Sequence, residues 1–247
     1  MTRREWIAAA LAQTAFADAG VEKLVIEAAT GRVVESGFAK SQRQPVGSLV
    51  KVFTALAYGA RHQYQYPEVV CKGTSTGCWY AAGHGRMNLV TAIAHSCNSY
   101  FLALARDTGM QDVALVSSSY RIAAPLVDSP EARIGLGRGW LERPEAIALA
   151  YLTLAARRRE PGVPLIIEGL RQCARVGTAR VCGEGVLAKT GTSVCVHHPS
   201  MPGDGWAIGL FPEEGPRYAV LVRQHGVPGA TAAVQLAGKI RALREGR

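Results

Sequence analysis

The stretch that decides the fold is residues 44–58, which have the sequence QPVGSLVKVFTALAY. Pro45 and Gly47 indicate a loop, and the apolar run that follows predicts a buried helix. Ser48 then lies in the first turn, and Lys51, three residues later, is on the same face of that helix. The spacing therefore predicts that the lysine amine lies beside the serine hydroxyl.

Ser48 and Lys51 are of the residue types that serve as nucleophile and base in acyl transfer. A serine hydroxyl is a poor nucleophile at neutral pH and needs a base within hydrogen-bond reach. A helix N-terminus favours developing negative charge, and apolar surroundings favour the neutral form of a lysine. Lys51 is therefore a candidate base for Ser48. Taken alone, the string is also typical of a serine helix cap followed by a solvated lysine.

A second polar string, Ser96-Cys97-Asn98, follows a Gly-rich turn and a helical stretch at residues 83–95. Ser96 can relay a proton to a leaving group, and the Asn98 amide can hold Lys51 and a substrate carbonyl. By itself this string is more typical of a helix break or cap. Its place between the other two strings favours the functional interpretation.

A third string, Lys189-Thr190-Gly191-Thr192, is predicted to lie on a strand that follows a turn. Glycine inside a strand marks the close approach of another backbone or a ligand, so Gly191 is predicted to let a substrate chain add along the strand edge. Lys189 and the hydroxyls of Thr190 and Thr192 offer positive charge and donors to a substrate carboxylate. The backbone N–H groups of Ser48 and Thr192 are candidates for an oxyanion hole.

The three strings together resemble the S-x-x-K, S-x-N and K-T-G motifs of the penicillin-binding proteins and serine β-lactamases. The resemblance extends over nearly the whole chain. Residues 24–34 resemble the first strand pair of such domains, and residues 205–211 and 217–222 resemble the strands after the third motif. Residues 229–243 resemble the closing helix.

The periodicity and the resemblance predict an α/β (α+β) fold. A central antiparallel sheet is built from both chain ends and flanked by helices, and an all-helical subdomain lies between residues of about 48 and 180. The site is expected in the cleft between the two parts. The catalytic candidates are Ser48, Lys51, Ser96, Asn98 and Lys189, and the substrate-binding candidates are Thr190, Gly191 and Thr192.

The resemblance implies a penicillin-binding acyl-serine enzyme that acts on D-Ala-D-Ala-type stem peptides of peptidoglycan, as a D,D-transpeptidase or a D,D-carboxypeptidase. β-Lactams are expected to acylate Ser48. Between the second and third motifs there is no Glu-x-x-x-Asn segment like the one that positions the deacylating water in class A β-lactamases. A class D-like serine β-lactamase and a non-catalytic penicillin-binding sensor or binding module remain alternatives.

The first 17 residues, MTRREWIAAALAQTAFA, have a charged head, a short apolar stretch and small residues before the predicted cleavage site. They predict a signal peptide at residues 1–17, followed by one transpeptidase-like domain at 18–247, and the Arg3-Arg4 pair is consistent with twin-arginine export. The expected location is periplasmic or extracellular in a bacterium, with no transmembrane segment in the mature chain. An amphipathic first helix of the mature fold is the alternative.

The chain has 247 residues, enough for one catalytic domain and not for two, and a net charge of +9. A basic surface favours anionic partners such as cell-wall polymers. Nucleic acid is not expected, because the arginines are dispersed and no binding motif accompanies them. Trp79 and Trp206 could line a substrate groove, although aromatic residues in such a chain are more typical of the core.

Six cysteines fit an oxidising compartment if they form disulfides. The near neighbours that predict disulfides are Cys71 with Cys78 and Cys173 with Cys182. The spacing does not decide whether Cys97 and Cys195 pair.

A zinc site is the rival interpretation of the same cysteines, since the chain also offers histidines as ligands. The metal-ligand types considered are Cys71, Cys78, His84, His197 and His198. Their spacings match no known zinc pattern, so neither a metal nor another cofactor is expected.

Overall fold

A computed structural model of the chain describes residues 20–39, 42–195 and 203–246. The predicted signal peptide and both His197 and His198 lie outside these residues. The strands are β1 (Val21–Glu27), β2 (Val33–Ser36), β3 (Gln44–Pro45), β4 (Val69–Cys71), β5 (Gly85–Met87), β6 (Leu141–Glu142), β7 (Leu187–Ser193), β8 (Asp204–Phe211) and β9 (Tyr218–His225). The α-helices are α1 (Lys51–Arg61), α2 (Leu89–Ala94), α3 (Asn98–Arg106), α4 (Met110–Ser119), α5 (Pro130–Arg133), α6 (Pro144–Ala156), α7 (Val163–Arg175) and α8 (Gly229–Arg244).

Five strands form the central sheet in the order β2-β1-β9-β8-β7, and all neighbours are antiparallel. The strands come from both ends of the chain, as predicted. Side chains alternate between the two faces. Leu24 and Ile26 pack into the larger core that contains α1, whereas Val25 packs with Leu236 and Ile240 of α8. The third motif lies on β7, the edge strand nearest the helical region.

Helix α1 runs through the larger core. All of its residues from Lys51 to Gly59 are buried, and most of them are apolar, as a helix inside a core requires. The buried polar side chains of Lys51 and Thr54 are both hydrogen-bonded. A 3₁₀ turn, Gly47–Val50, precedes it, and Ser48 lies in this turn. The α-helix therefore begins at Lys51, two residues later than the apolar run predicts. The buried Tyr151 hydroxyl donates to the Leu49 carbonyl at 2.7 Å and fixes the turn from the other side.

The region between β3 and β7 is helical, as predicted, and also contains two short ribbons. β3 pairs with β6, and β4 pairs with β5. Strands of two or three residues are too short to show an alternating pattern, which is why the sequence did not indicate them. The β4–β5 ribbon stands beside the second motif.

Two other expectations concern membranes and disulfides. None of the helices within the described residues combines the length and apolarity needed to cross a bilayer. All six cysteines are free thiols. The prediction of Cys71–Cys78 and Cys173–Cys182 disulfides is therefore wrong. The Sγ atoms of Cys78 and Cys97 lie 3.9 Å apart, nearly twice the roughly 2.05 Å length of an S–S bond.

Candidate active site

The three motifs meet at one cleft of about 320 Å³ between the edge of the sheet and the helical region. Ser48 lies at its base and is 7% exposed. The predicted residues that line it are Ser48, Ser96, Asn98, Thr190, Gly191 and Thr192. The two remaining candidates, Lys51 and Lys189, are fully buried behind this surface.

Lys51 is directed towards the second motif. Its Nζ donates to the Asn98 Oδ1 at 2.6 Å and to the Ser96 carbonyl at 2.9 Å, and it lies 3.4 Å from Ser96 Oγ. The predicted contact with Ser48 is not among its hydrogen bonds within the described chain. Hydrogen bonds between catalytic groups are often long without substrate and tighten when substrate binds.

Burial lowers the pKa of Lys51 well below its usual value, and the nearby Lys189 lowers it further. Removing a lysine from water disfavours its charged form, and a second amine nearby acts in the same direction. Lys51 is therefore much more readily deprotonated than a lysine in water. A neutral amine at this position can accept a proton.

Ser96 joins the two lysines. Its Oγ accepts a hydrogen bond from Lys189 Nζ at 2.8 Å and lies 3.4 Å from Lys51 Nζ. Its backbone is in the left-handed region, with φ of 52°, which is uncommon for a residue other than glycine. In this conformation the Ser96 carbonyl accepts from both Lys51 Nζ and Trp79 Nε1, the latter at 3.1 Å.

Lys189 points from β7 into the same network. Besides Ser96 Oγ, its Nζ donates to the Thr190 carbonyl at 2.7 Å. Burial lowers the pKa of Lys189 to about 8. Thr190 Oγ1 lies 2.5 Å from Thr178 Oγ1, and Thr192 Oγ1 accepts the Gly229 N–H at 3.0 Å. Both threonine hydroxyls are thus oriented by neighbours from outside the third motif.

Gly191 and Gly47 allow β7 and the Ser48 turn to touch. A Cβ atom on Gly191 would lie 3.0 Å from the Val46 carbonyl oxygen and 3.1 Å from the Ser48 nitrogen. A Cβ atom on Gly47 would lie 2.6 Å from the Thr192 carbonyl oxygen, and Gly47 also has a φ of 57°. The backbone that comes close to Gly191 is therefore that of the Ser48 turn. From the sequence, Gly191 is predicted to allow the approach of a substrate chain.

Several groups at the cleft lie outside the three motifs. Trp79 is 55% exposed and lines the cleft, whereas Trp206 is fully buried in the core. Thr178, in the loop after α7, also lines it, together with Leu136 and with residues 228–230 at the N-terminus of α8. Apart from Trp79, none of these is assigned to a groove from the sequence, because only the folded chain brings them to the site.

No aspartate or glutamate lines the cleft within the described residues. The buried Glu142 is occupied elsewhere, because its carboxylate accepts the N–H groups of Ala123 and Arg143. The described cleft therefore offers amines, hydroxyls and amides for proton transfer, and no carboxylate.

No protein-family model and no curated protein sequence matches this chain, but many solved structures share its fold. One is Pseudomonas aeruginosa PBP2 in complex with WCK 5153, with a TM-score of 0.75 and 18% identity over 91% of this chain and 73% of that one. Another is Helicobacter pylori PBP2 in complex with MreC, with a TM-score of 0.77 and 16% identity over 91% of this chain and 60% of that one. A third is the transpeptidase domain of the Legionella pneumophila D,D-transpeptidase FtsI4, with a TM-score of 0.65 and 17% identity over 90% of this chain and 88% of that one. The chain therefore has the fold of the transpeptidase domains of penicillin-binding proteins.

Proposed function

We propose that this protein is a penicillin-binding acyl-serine enzyme that acts on D-Ala-D-Ala-type stem peptides of peptidoglycan, as a D,D-transpeptidase or a D,D-carboxypeptidase. The observation that carries the proposal is the convergence of three distant motifs on one cleft. Two buried lysines meet there at a single serine hydroxyl, beside the turn that carries Ser48.

In the acylation step, Ser48 Oγ attacks the carbonyl carbon of the penultimate D-Ala. Lys51, as a neutral amine, takes the serine proton. The backbone N–H groups of Ser48 and Thr192 stabilise the negative charge that develops on the carbonyl oxygen. The peptide C–N bond then breaks, and Ser96 passes a proton from the lysine network to the departing amine of the terminal D-Ala. The product is an ester between Ser48 and the shortened peptide.

The terminal carboxylate of the substrate would be held by the third motif. Lys189 supplies positive charge, and Thr190 and Thr192 supply hydroxyl donors. The Thr192 hydroxyl already accepts the Gly229 N–H, so its own proton is free to point to a carboxylate. The peptide would lie along β7, which is an edge strand of the described sheet and can accept an added strand.

The acyl-enzyme is resolved by an amine in transpeptidation or by water in hydrolysis. Rapid hydrolysis of the kind that a glutamate drives in class A β-lactamases needs a carboxylate that activates water, and the described cleft contains none. This argues against β-lactamase turnover by that route. We also propose that the protein acts outside the cytoplasmic membrane, as the predicted signal peptide implies. Its net charge is +9, or +8 once residues 1–17, where Arg3, Arg4 and Glu5 together carry +1, are removed, and would favour anionic cell-wall polymers.

Labelling with a fluorescent penicillin tests the proposal. The wild-type protein should become covalently labelled, and Ser48→Ala should not. Ser119→Ala is the matched control, because that serine is exposed and its hydroxyl bonds only to the Val116 carbonyl on its own helix. Equal labelling of wild type and Ser48→Ala would refute the assignment of the nucleophile.

A second experiment separates the possible reactions. The enzyme is incubated with a stem pentapeptide, with and without an amine acceptor, and the products are identified by mass spectrometry. Loss of D-Ala alone indicates a carboxypeptidase, and an acceptor adduct indicates a transpeptidase. Rapid turnover of a chromogenic cephalosporin would instead indicate a β-lactamase.

A further inference from the structure

A second group of reactive side chains lies directly behind the second motif. It consists of Cys71 at the end of β4, Cys78 in the following loop, His84 just before β5, and Cys97 between Ser96 and Asn98. We call these four side chains the Cys₃His cluster. Their ligand atoms all lie within 4.8 Å of one another, and the three cysteines are buried. No step proposed for the acyl-serine reaction uses them.

Three of the six distances between the ligand atoms match those of a tetrahedral metal site. His84 Nδ1 lies 3.5 Å from the Sγ atoms of both Cys71 and Cys78, and the Sγ atoms of Cys78 and Cys97 are 3.9 Å apart. A tetrahedral Zn²⁺ ion, with bonds of about 2.3 Å to sulfur and about 2.0 Å to nitrogen, separates S···N pairs by about 3.5 Å and S···S pairs by about 3.8 Å. The other three pairs lie within 4.8 Å, so small side-chain movements would bring all four ligands to one ion.

The surroundings of the sulfurs are those of thiolate ligands. The backbone N–H groups of Gly73 and His84 donate to Cys71 Sγ, and Ser99 Oγ donates to the same sulfur at 3.3 Å. Cys97 precedes the first turn of α3, and its Sγ accepts the Tyr100 N–H there. Donors of this kind orient metal-bound thiolates. Three buried thiols and a histidine with so many donors are poorly explained as apolar packing.

We propose that the Cys₃His cluster is a structural site for one Zn²⁺ ion. Three thiolates and one imidazole select a soft or borderline cation and fill all four tetrahedral positions, so the ion would have no open position for substrate. The site would be structural and separate from the acylation chemistry. The sequence predicted no zinc site because the spacings of Cys71, Cys78, His84, His197 and His198 match no known zinc pattern. That set did not include Cys97, which the fold brings to the other three ligands.

The ion would fasten the β4–β5 ribbon to the second motif. The ribbon and its loop supply Cys71, Cys78 and His84, and the second motif supplies Cys97. The same loop carries Trp79, whose Nε1 donates to the Ser96 carbonyl. Zinc would therefore hold both the indole and the Ser96–Asn98 backbone in the positions that shape one side of the cleft.

The test measures metal binding and needs no enzymatic activity. Reduced, metal-free wild-type protein is titrated with Co²⁺, a spectroscopic substitute for Zn²⁺, and then with Zn²⁺. We expect one equivalent of Co²⁺ to produce thiolate charge-transfer and tetrahedral d–d absorption, and Zn²⁺ to abolish both. Protein purified under reducing conditions with zinc in the medium should contain one zinc ion per chain by elemental mass spectrometry.

Variants assign the ligands. Cys78→Ser should lose the cobalt spectrum and lower zinc affinity by more than about 100-fold, and Ser99→Ala, which removes only a donor to a ligand, should lower it by about 10- to 100-fold. Cys182→Ser is the matched control, because that thiol lies outside the cluster and contacts the Ala233 carbonyl, and it should bind one zinc ion as tightly as wild type.

Two results would overturn the proposal. One is wild-type protein with no tetrahedral cobalt spectrum and no stoichiometric zinc. The other is protein from the exporting cell that lacks zinc and carries a disulfide between cysteines of the cluster, detected by mass spectrometry of peptides. Because both readings are independent of penicillin labelling, the zinc site and the proposed acyl-serine function can fail separately.

Discussion

The two sides of the cleft are built differently. We call one side the packed wall, which consists of the Ser48 turn, α1 and β7, and the other the ribbon wall, which consists of residues 69–87. In the packed wall, every residue of α1 up to Gly59 is buried. In the ribbon wall, Val70, Trp79 and Tyr80 are about half exposed.

The difference shows how each side is held in place. Hydrophobic burial fixes the packed wall, and interlocked glycines bring its two parts into backbone contact. The ribbon wall contributes Cys71, Cys78 and Met87 to the buried core and is otherwise joined to the second motif by hydrogen bonds. The two walls meet at Ser96, whose carbonyl accepts one donor from each.

The largest effect is expected from Lys51→Met in the packed wall. Methionine fills a similar volume but cannot accept a proton, so acylation by penicillin should slow by about 10²- to 10⁴-fold, the range for loss of a general base. Stopped-flow or quenched labelling measures the rate. Lys72→Met, an exposed lysine of the ribbon wall, is the control and should react at the wild-type rate. A wild-type rate in Lys51→Met would mean that another group activates the serine.

Gly191→Ala should separate the two parts of the packed wall. The added methyl group would press on the Val46 carbonyl and the Ser48 nitrogen at 3.0–3.1 Å, so the Ser48 turn must shift by a few tenths of an ångström. Because small displacements of reacting groups are costly, acylation should slow by about tenfold. Gly215→Ala, where a Cβ atom meets nothing within 4 Å, is the matched control. Unchanged kinetics in Gly191→Ala would show that the turn tolerates the shift.

The pH dependence of kcat/KM tests both lysines. Lys51 must be neutral, so the rate should fall about tenfold per pH unit below its lowered pKa. Lys189 must be charged to hold a carboxylate, so the rate should also fall above its pKa of about 8. Lys189→Arg keeps its charge across this range and should lose the basic limb. If kcat/KM still falls at high pH in Lys189→Arg, the fall comes from the titration of another group.

The smallest effect is expected from Trp79→Phe in the ribbon wall. Phenylalanine keeps an aromatic ring but loses the N–H donor to the Ser96 carbonyl, a hydrogen bond worth about 1 kcal/mol. Acylation should slow by at most about fivefold, and the free energy of unfolding should fall by no more than about 1 kcal/mol. Trp79→Leu removes the ring as well and should be slower than Trp79→Phe. Equal rates for wild type and both variants would show that this side chain does not shape the site.

The sequence predicted the packed wall and the sheet and helix that support it. The apolar run after Ser48 predicted α1, and the strand pair around Thr30-Gly31 is formed by β1 and β2. The closing helix begins at Gly229, as predicted. Helix α1 followed from its apolar run, whereas the strand pair and the closing helix followed from the resemblance to the penicillin-binding proteins.

The ribbon wall was not predictable in the same way. Its strands are three residues long, and the four ligands of the Cys₃His cluster come from two separate segments of the chain. The spacing of these residues along the sequence does not show that Cys97 lies beside Cys71 and Cys78 in the folded chain. The exposure of Trp79 was missed because a tryptophan is most often core, and nothing local marks this one as part of a cleft.

On the proposed role of Lys189 as the carboxylate ligand, its burial would make ligand binding a proton-uptake reaction. With a pKa of about 8, this amine is largely neutral in moderately alkaline solution, and a carboxylate placed beside it favours its charged form. Each anionic ligand that enters the cleft above that pH should therefore draw one proton from the buffer. The measured heat of binding will then vary with the ionisation enthalpy of the buffer, which reports occupation of the carboxylate subsite even when no acyl transfer follows.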